Sequence, residues 1–172
     1  MATPRELFWR LRARLSYAVA RRLMGWPWMV RQPRSWAWMQ GQFARMAALG
    51  DVGAQSFYGH LLLFRGQGFG AREEGLRLLR LAATAGDHKA AYQLGVQSLK
   101  GDTRHAGDAQ EAARYWGQAA EAGHPLAARK LGELYRSGGP GLEPDVAQAE
   151  TLRDARPPVG ALNHSAVRMC RL

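Results

Sequence analysis

The phrase AATAGDHKAAYQLG at residues 82–95 returns as AAEAGHPLAARKLG at 119–132, and more faintly as MAALGDVGAQSFYG at 46–59. The two strong copies share eight of fourteen positions, in the frame AAxAGxxxAAxxLG. Aligned on Gly50, Gly86 and Gly123, the copies lie 36 and 37 residues apart. A unit of that length cannot enclose a core by itself, so it must bury its apolar face against the next unit. Recurrence at this interval therefore points to a stack of helical units.

Within each copy a small residue stands four positions after the glycine (Ala54, Ala90, Ala127), followed by Tyr58-Gly59, Leu94-Gly95 or Leu131-Gly132. The apolar spacing around these pairs is helical. Glycine inside a helix costs about 1 kcal/mol relative to alanine, so its return at equivalent places implies a bulky neighbour that needs the space. The expected occupants are Leu78-Leu79 and Tyr115-Trp116 on the following helix, with Ala82-Ala83 and Ala119-Ala120 extending the same contact. Gly86 and Gly123 fall just past a helix end, where a left-handed backbone closes the turn. Longer connections run RGQGFGARE (65–73), KGDTRHAGDAQ (100–110) and SGGPGLEPDVAQ (137–148), with Asp108 and Asp145 placed to cap the helices that follow.

This arrangement of residues resembles the Sel-one-like repeat (SLR) family, an α/α solenoid related to tetratricopeptide repeats. Ala127, Leu131, Gly132, Tyr135, Gly138, Gly141, Leu142, Asp145 and Ala149 match the first half of the family pattern. Asp108, Ala112, Trp116, Ala119, Ala120 and Gly123 match its second half. Ser98 stands where the pattern has an aromatic residue, Gly75 where it has alanine, and Arg153 where Trp116 stood one unit earlier. The resemblance covers residues 36–156 and implies an all-α, right-handed α/α solenoid of about three units: 50–85, 86–122 and 123–156. The solenoid is expected over 35–156, after a basic amphipathic helix and Trp/Pro linker over 1–34 and before a tail over 157–172. Pro157-Pro158 stop the last helix, and the tail shows weak helical spacing at Leu162, Ala166 and Met169.

Charge is unevenly placed. The formal net charge is +10, and residues 1–45 carry nine Arg against one acid, Glu6, while the remainder is near neutral. SWAWMQGQFARMAALG (35–50) reads as the second helix of a unit whose first helix is missing or divergent, with Ser35 as its cap. Ahead of it, residues 4–24 form a helix on which Leu7, Phe8, Leu11, Leu15, Ala18 and Val19 share one arc. GWPWMV (25–30) then breaks the helix and presents Trp26 and Trp28. Three placements fit this arm. Its apolar arc packs on the first repeat as an end cap; or it lies on an anionic membrane with tryptophans at the headgroups; or it contacts nucleic acid through arginine and tryptophan. The near-neutral body disfavours the last.

No run of eighteen apolar residues offers a membrane span, and LSYAVA (15–20) is too short for the apolar region of a secretory signal. Cys170 is the only cysteine, so a reducing, cytoplasmic setting is natural, the inner membrane face being the alternative. The histidines at 60, 88, 105, 124 and 164 form no H-x-x-x-H pair, and no C-x-x-C exists, so neither metal nor cofactor is expected. GQGFG (66–70) lacks the Gly-Lys-Ser/Thr of a phosphate loop. Glu73 and Glu74 are adjacent and face different ways on a helix, which suits paired acid–base work poorly.

A non-enzymatic adaptor or scaffold follows, and the resemblance implies assembly roles, often in bacterial envelope, secretion or signalling systems. If the first helices line the concave face, the exposed positions are Ser56, His60 and Phe64; Lys89, Tyr92, Val96 and Lys100; Arg129, Glu133 and Arg136. Such a groove, basic with aromatic anchors, suits an acidic protein or peptide. The same residues otherwise read as ordinary solvated helix faces.

Overall fold

The structure, a computed structural model, describes residues 4–66, 68, 70–102 and 105–154. The tail over 157–172 lies outside the described residues, as does the side chain of Arg153. The helices are α1 (Pro4–Leu23), α2 (Pro27–Arg31), α3 (Pro33–Ala48), α4 (Val52–Arg65), α5 (Ala71–Thr84), α6 (His88–Lys100), α7 (Ala109–Glu121), α8 (Ala127–Ser137) and α9 (Val146–Asp154). From α3 onward each packs chiefly on its neighbours in sequence, which is how a solenoid differs from a globular bundle. The repeat pairs are α4–α5, α6–α7 and α8–α9.

The turn glycines behave as their spacing predicts. Gly50, Gly86 and Gly123 hold φ of +83°, +91° and +84°, a conformation glycine adopts without a Cβ penalty. At the second turn Asp87 N donates to Ala82 O and Gly86 N to Ala83 O, both at 2.9 Å. At the third, His124 N donates to Ala119 O at 2.8 Å and Gly123 N to Ala120 O at 3.0 Å. The turn amides thus supply the last helical carbonyls, those of the alanine pairs, with their partners.

Inside the units the helical glycines mark close crossings. A Cβ on Gly95 would sit 2.5 Å from both Cδ1 and Nε1 of Trp116, whose Nε1 donates to Tyr92 O at 3.1 Å. A Cβ on Gly59 would meet Leu79 Cγ and the carbonyl of Gly75, both at 2.9 Å. Gly75 therefore deepens the crossing of unit one. The third unit departs from expectation: a Cβ on Gly132 would meet only Ala149 O, at 3.8 Å. Its crossing is looser.

Helix starts are set by aspartates. Asp108 and Asp145 accept from Glu111 N at 2.9 Å and Gln148 N at 3.0 Å. Asp51 and Asp87 do the same for Ala54 N at 2.8 Å and Ala90 N at 2.7 Å. Ser35 is not a cap: α3 begins earlier, at Pro33, with Gln32 before it and no side-chain capping bond. A proline at the first helical position needs no partner for an N–H, and that moves the boundary forward.

Units are joined at one recurring pair of positions. Ser56 and Tyr92 each stand six residues past a turn glycine; Asp87 and His124 each stand one past the next. Ser56 Oγ donates to Asp87 Oδ1 at 3.0 Å. In the following joint the ring of Tyr92 stacks on His124 at 4.2 Å, with planes 10° apart. Second helices are tied as well, through Gln118 Nε2 to Ala83 O at 2.7 Å.

α1 and α3 form a leading pair, with α2 between them. The end-cap reading placed the leucine-rich arc against the first repeat, and the structure corrects it. α1 docks through Ala13, Tyr17 and Ala20, packed on Met39, Phe43, Met46 and Ala47 of α3 and on Ala54 and Leu61 of α4. Phe8, Leu11, Leu15 and Val19 point outward, Leu15 being 71% exposed. The side chain of Leu7 lies outside the described residues. Small residues win the contact because they let helix axes approach closely, whereas leucines would hold them apart.

Two outcomes follow. Gly95→Ala forces the Trp116 ring from its hydrogen bond and should destabilise by about 1–3 kcal/mol. Gly132→Ala meets no obstacle and should be neutral or stabilise by up to about 1 kcal/mol through helix propensity; denaturant titration of both variants checks the contrast. His124 supplies the second. Its pKa is lowered by burial and by nearby His88 and Lys89, and its Nδ1 accepts from Leu126 N at 3.3 Å. A depressed histidine pKa means that the unfolded chain binds the proton first, so stability should fall as pH drops below about 6.5. His124→Asn should remove that part of the pH dependence, read as melting temperature from pH 7 down to 5.

Candidate functional site

The first helices of the units are α4, α6 and α8, and the sequence-predicted groove residues stand on them in two different states. Ser56 is buried, at 6% exposure, and spends its hydroxyl on Asp87. It belongs to a joint between units and cannot line an open groove. Tyr92 is half-buried with one face on His124, and Val96 packs against the cluster that holds Trp116 and Leu131. These two are supports more than contacts.

The remaining positions reach solvent. Phe64 is 65% exposed and stacks loosely on His60 at 6.2 Å; the His60 Nδ1 lies 3.0 Å from Ser56 O. Lys89 at the start of α6, Lys100 at its end, and Arg129, Glu133 and Arg136 on α8 are exposed. Glu133 accepts from Lys130 Nζ at 2.8 Å and faces Arg129 Nε at 3.5 Å. The hydrogen bond from Lys130 holds its carboxyl below the usual range, with Coulombic support from Lys130, Arg129 and Arg136. One acid thus sits among three cations, and the α8 surface is net basic.

A second feature escaped the sequence reading. A half-open cleft of about 620 Å³ lies between α5, α6, the loop after α6 and the start of α7. Arg72 and Arg80 line one wall; Asp102, Asp108 and Glu111 line the other. Arg72 Nε and Gln97 Oε1 are buried there without a hydrogen-bond partner among the described residues. The signal was available: Arg72, Leu76 and Arg80 fall at i, i+4 and i+8 on one face of α5. It was obscured because the opposite wall comes from a different part of the unit.

Of the charged residues weighed as chemistry, Glu74 is bound by Arg77 Nε and Nη2, both at 2.7 Å, and that hydrogen bonding lowers its pKa. Among the described residues no group of three or more His, Cys, Asp or Glu is placed to hold a metal ion. His88 and His124 stand 5.7 Å apart, ring to ring. At the N-terminal end Trp26 and Trp28 are exposed beside the outward face of α1 in sequence, and no described helix is long and apolar enough to cross a membrane.

No protein-family model matches the chain, and no curated protein matches it. Solved structures do. A Sel1 repeat protein from Oxalobacter formigenes is 28% identical, with a TM-score of 0.60 over 68% of this chain and 33% of that one. A protective antigen of uropathogenic Escherichia coli strains displaying an SLR fold is 27% identical, with a TM-score of 0.63 over 83% of this chain and 29% of that one. The chain therefore spans about a third of the length of the structures it matches. With the turn glycines, the close crossings and the loop aspartates in their repeat positions, these likenesses show that the chain shares the fold of Sel1 repeat proteins, an all-helical α/α solenoid.

Proposed function

We propose that the chain is a non-enzymatic adaptor or scaffold module that binds another protein or peptide of acidic character along the face of α4, α6 and α8. The observation that carries the reading is the exposure of Lys89, Lys100, Arg129 and Arg136 on first helices whose backs are locked by the joints. A helical backbone held by its joints needs little ordering on binding, and the exposed aromatic ring at Phe64 offers an anchor. The fold supports the reading in kind, since helical-repeat solenoids present extended surfaces to protein ligands. Arginine forks match carboxylates in paired geometry, which favours aspartate- or glutamate-rich partners.

The test is site-specific photo-crosslinking in native cells, with the crosslinker at Lys89 or Arg129 on first helices and at Arg77 on α5 as the control. A shared crosslinked partner should arise from the first two positions and not from the third; equal labelling from all three sinks the proposal. Lys89→Glu combined with Arg129→Glu should weaken binding of the identified partner about tenfold or more, with steep salt dependence and an unchanged melting temperature.

A further inference from the structure

α1 has two opposed faces, and only one is used by the fold. At about 100° per residue, Ala13, Tyr17 and Ala20 centre on one side of the helix, and Phe8, Leu11, Leu15 and Val19 centre on the side directly opposite. The first set is packed into the leading pair; every member of the second is exposed. An amphipathic helix normally turns its leucines inward, and here they face out. The outward stripe is flanked on one side by Arg12 and on the other by Arg14, with Arg22 at its C-terminal end, all exposed. Trp26 and Trp28 follow at once and are also exposed.

We infer that this face is a membrane-surface contact, in which α1 lies flat on an anionic lipid surface. The stripe enters the boundary between headgroups and acyl chains, and the flanking arginines reach lipid phosphates. Charge complementarity selects this occupant. Residues 1–45 carry nine Arg against one acid, so the arm repels a second copy of itself and is drawn to an anionic surface. A helix of 20 residues is about 30 Å long, and lying in the plane it sets the stripe from Phe8 to Val19 along about 17 Å of the surface. Tryptophan favours the headgroup region, with an apolar body and a polar N–H. Guanidinium groups beside an apolar stripe extend to the headgroups while their stems remain with the chains. Docking through Ala13, Tyr17 and Ala20 holds the stripe in place before any lipid is met, so little ordering remains to be done on binding.

The experiment uses the full chain with vesicles of phosphatidylcholine alone and vesicles containing about 30% phosphatidylglycerol, by co-sedimentation and tryptophan emission. The wild-type chain should bind the anionic vesicles with a blue-shifted emission and bind the neutral ones about tenfold or more weakly. Leu11→Gln with Leu15→Gln should reduce anionic-vesicle binding by about tenfold or more while melting temperature is unchanged. Arg12→Gln with Arg14→Gln should weaken it and flatten its salt dependence. Equal binding by the leucine double variant would overturn the inference, as would failure of the wild type to bind anionic vesicles. Loss in that variant of a concentration-dependent dimer, with vesicle binding retained, would assign the stripe to a second copy and overturn it too. None of these outcomes depends on whether the α4–α6–α8 face binds a protein.

Discussion

Everything in this molecule depends on how closely two helices can approach where one of them lacks a side chain. At Gly95 the Trp116 ring lies where a Cβ would be, close enough for its Nε1 to reach the carbonyl of Tyr92. Tyr92 then presents its ring to His124 of the next unit. One residue thus links the crossing within a unit to the joint between units. Unit one reaches the same end by other chemistry, with Gly59 against Gly75 inside and Ser56 against Asp87 across the joint. The geometry is repeated; the side chains that realise it are not.

That distinction explains how the departures from the family pattern are tolerated. Ser98 replaces an aromatic residue, yet its carbonyl accepts from Asp108 N at 2.8 Å, and the carbonyl of Tyr135, its counterpart, accepts from Asp145 N at 2.7 Å. The tie that closes the inner loop is made by the backbone, so the side chain is free to change. The third loop gains a further anchor, with Ala109 N donating to Pro140 O at 2.9 Å. A Cβ on Gly139 would stand 2.8 Å from Ala109 Cβ. The end of the solenoid is held by its loop against the preceding unit, which offsets the looser crossing at Gly132.

The repeat was legible because turn glycines, loop aspartates and helical glycines each carry a local physical requirement that survives divergence. The α1 packing face was not, because hydropathy weights leucine and phenylalanine above alanine. The lesson of the repeat itself, that small residues mark close helix contacts, would have picked Ala13 and Ala20 over Leu11 and Leu15. Ser56 was misplaced for a related reason: a polar residue on a helix reads as exposed until its partner, 31 residues away in Asp87, is brought beside it. The caps at Asp51 and Asp87 carried the same signal as Asp108 and Asp145. They sat inside the turn phrase, where glycine drew the attention.

Charge divides along the same line as packing. On the repeats, acids sit beside bases: Glu74 with Arg77, Glu111 with Arg114, Glu133 with Lys130 and Arg129. These pairs are exposed and contribute little to stability, but they leave the solenoid close to neutral, so its basic character is confined to positions such as Lys89 and Arg136. The leading helices have one acid among nine arginines, and internal pairing cannot neutralise them. Two of those arginines also lie over aromatic rings, Arg12 over Trp9 and Arg21 over Phe57, and both remain exposed. Arg12, Arg14 and Arg22 are exposed around the apolar stripe that the fold leaves uncovered. A chain that neutralises one part of its surface and concentrates unpaired charge on another has two surfaces with different electrostatic reach. At physiological ionic strength the paired one acts only at contact, and the unpaired one attracts over about 8 Å.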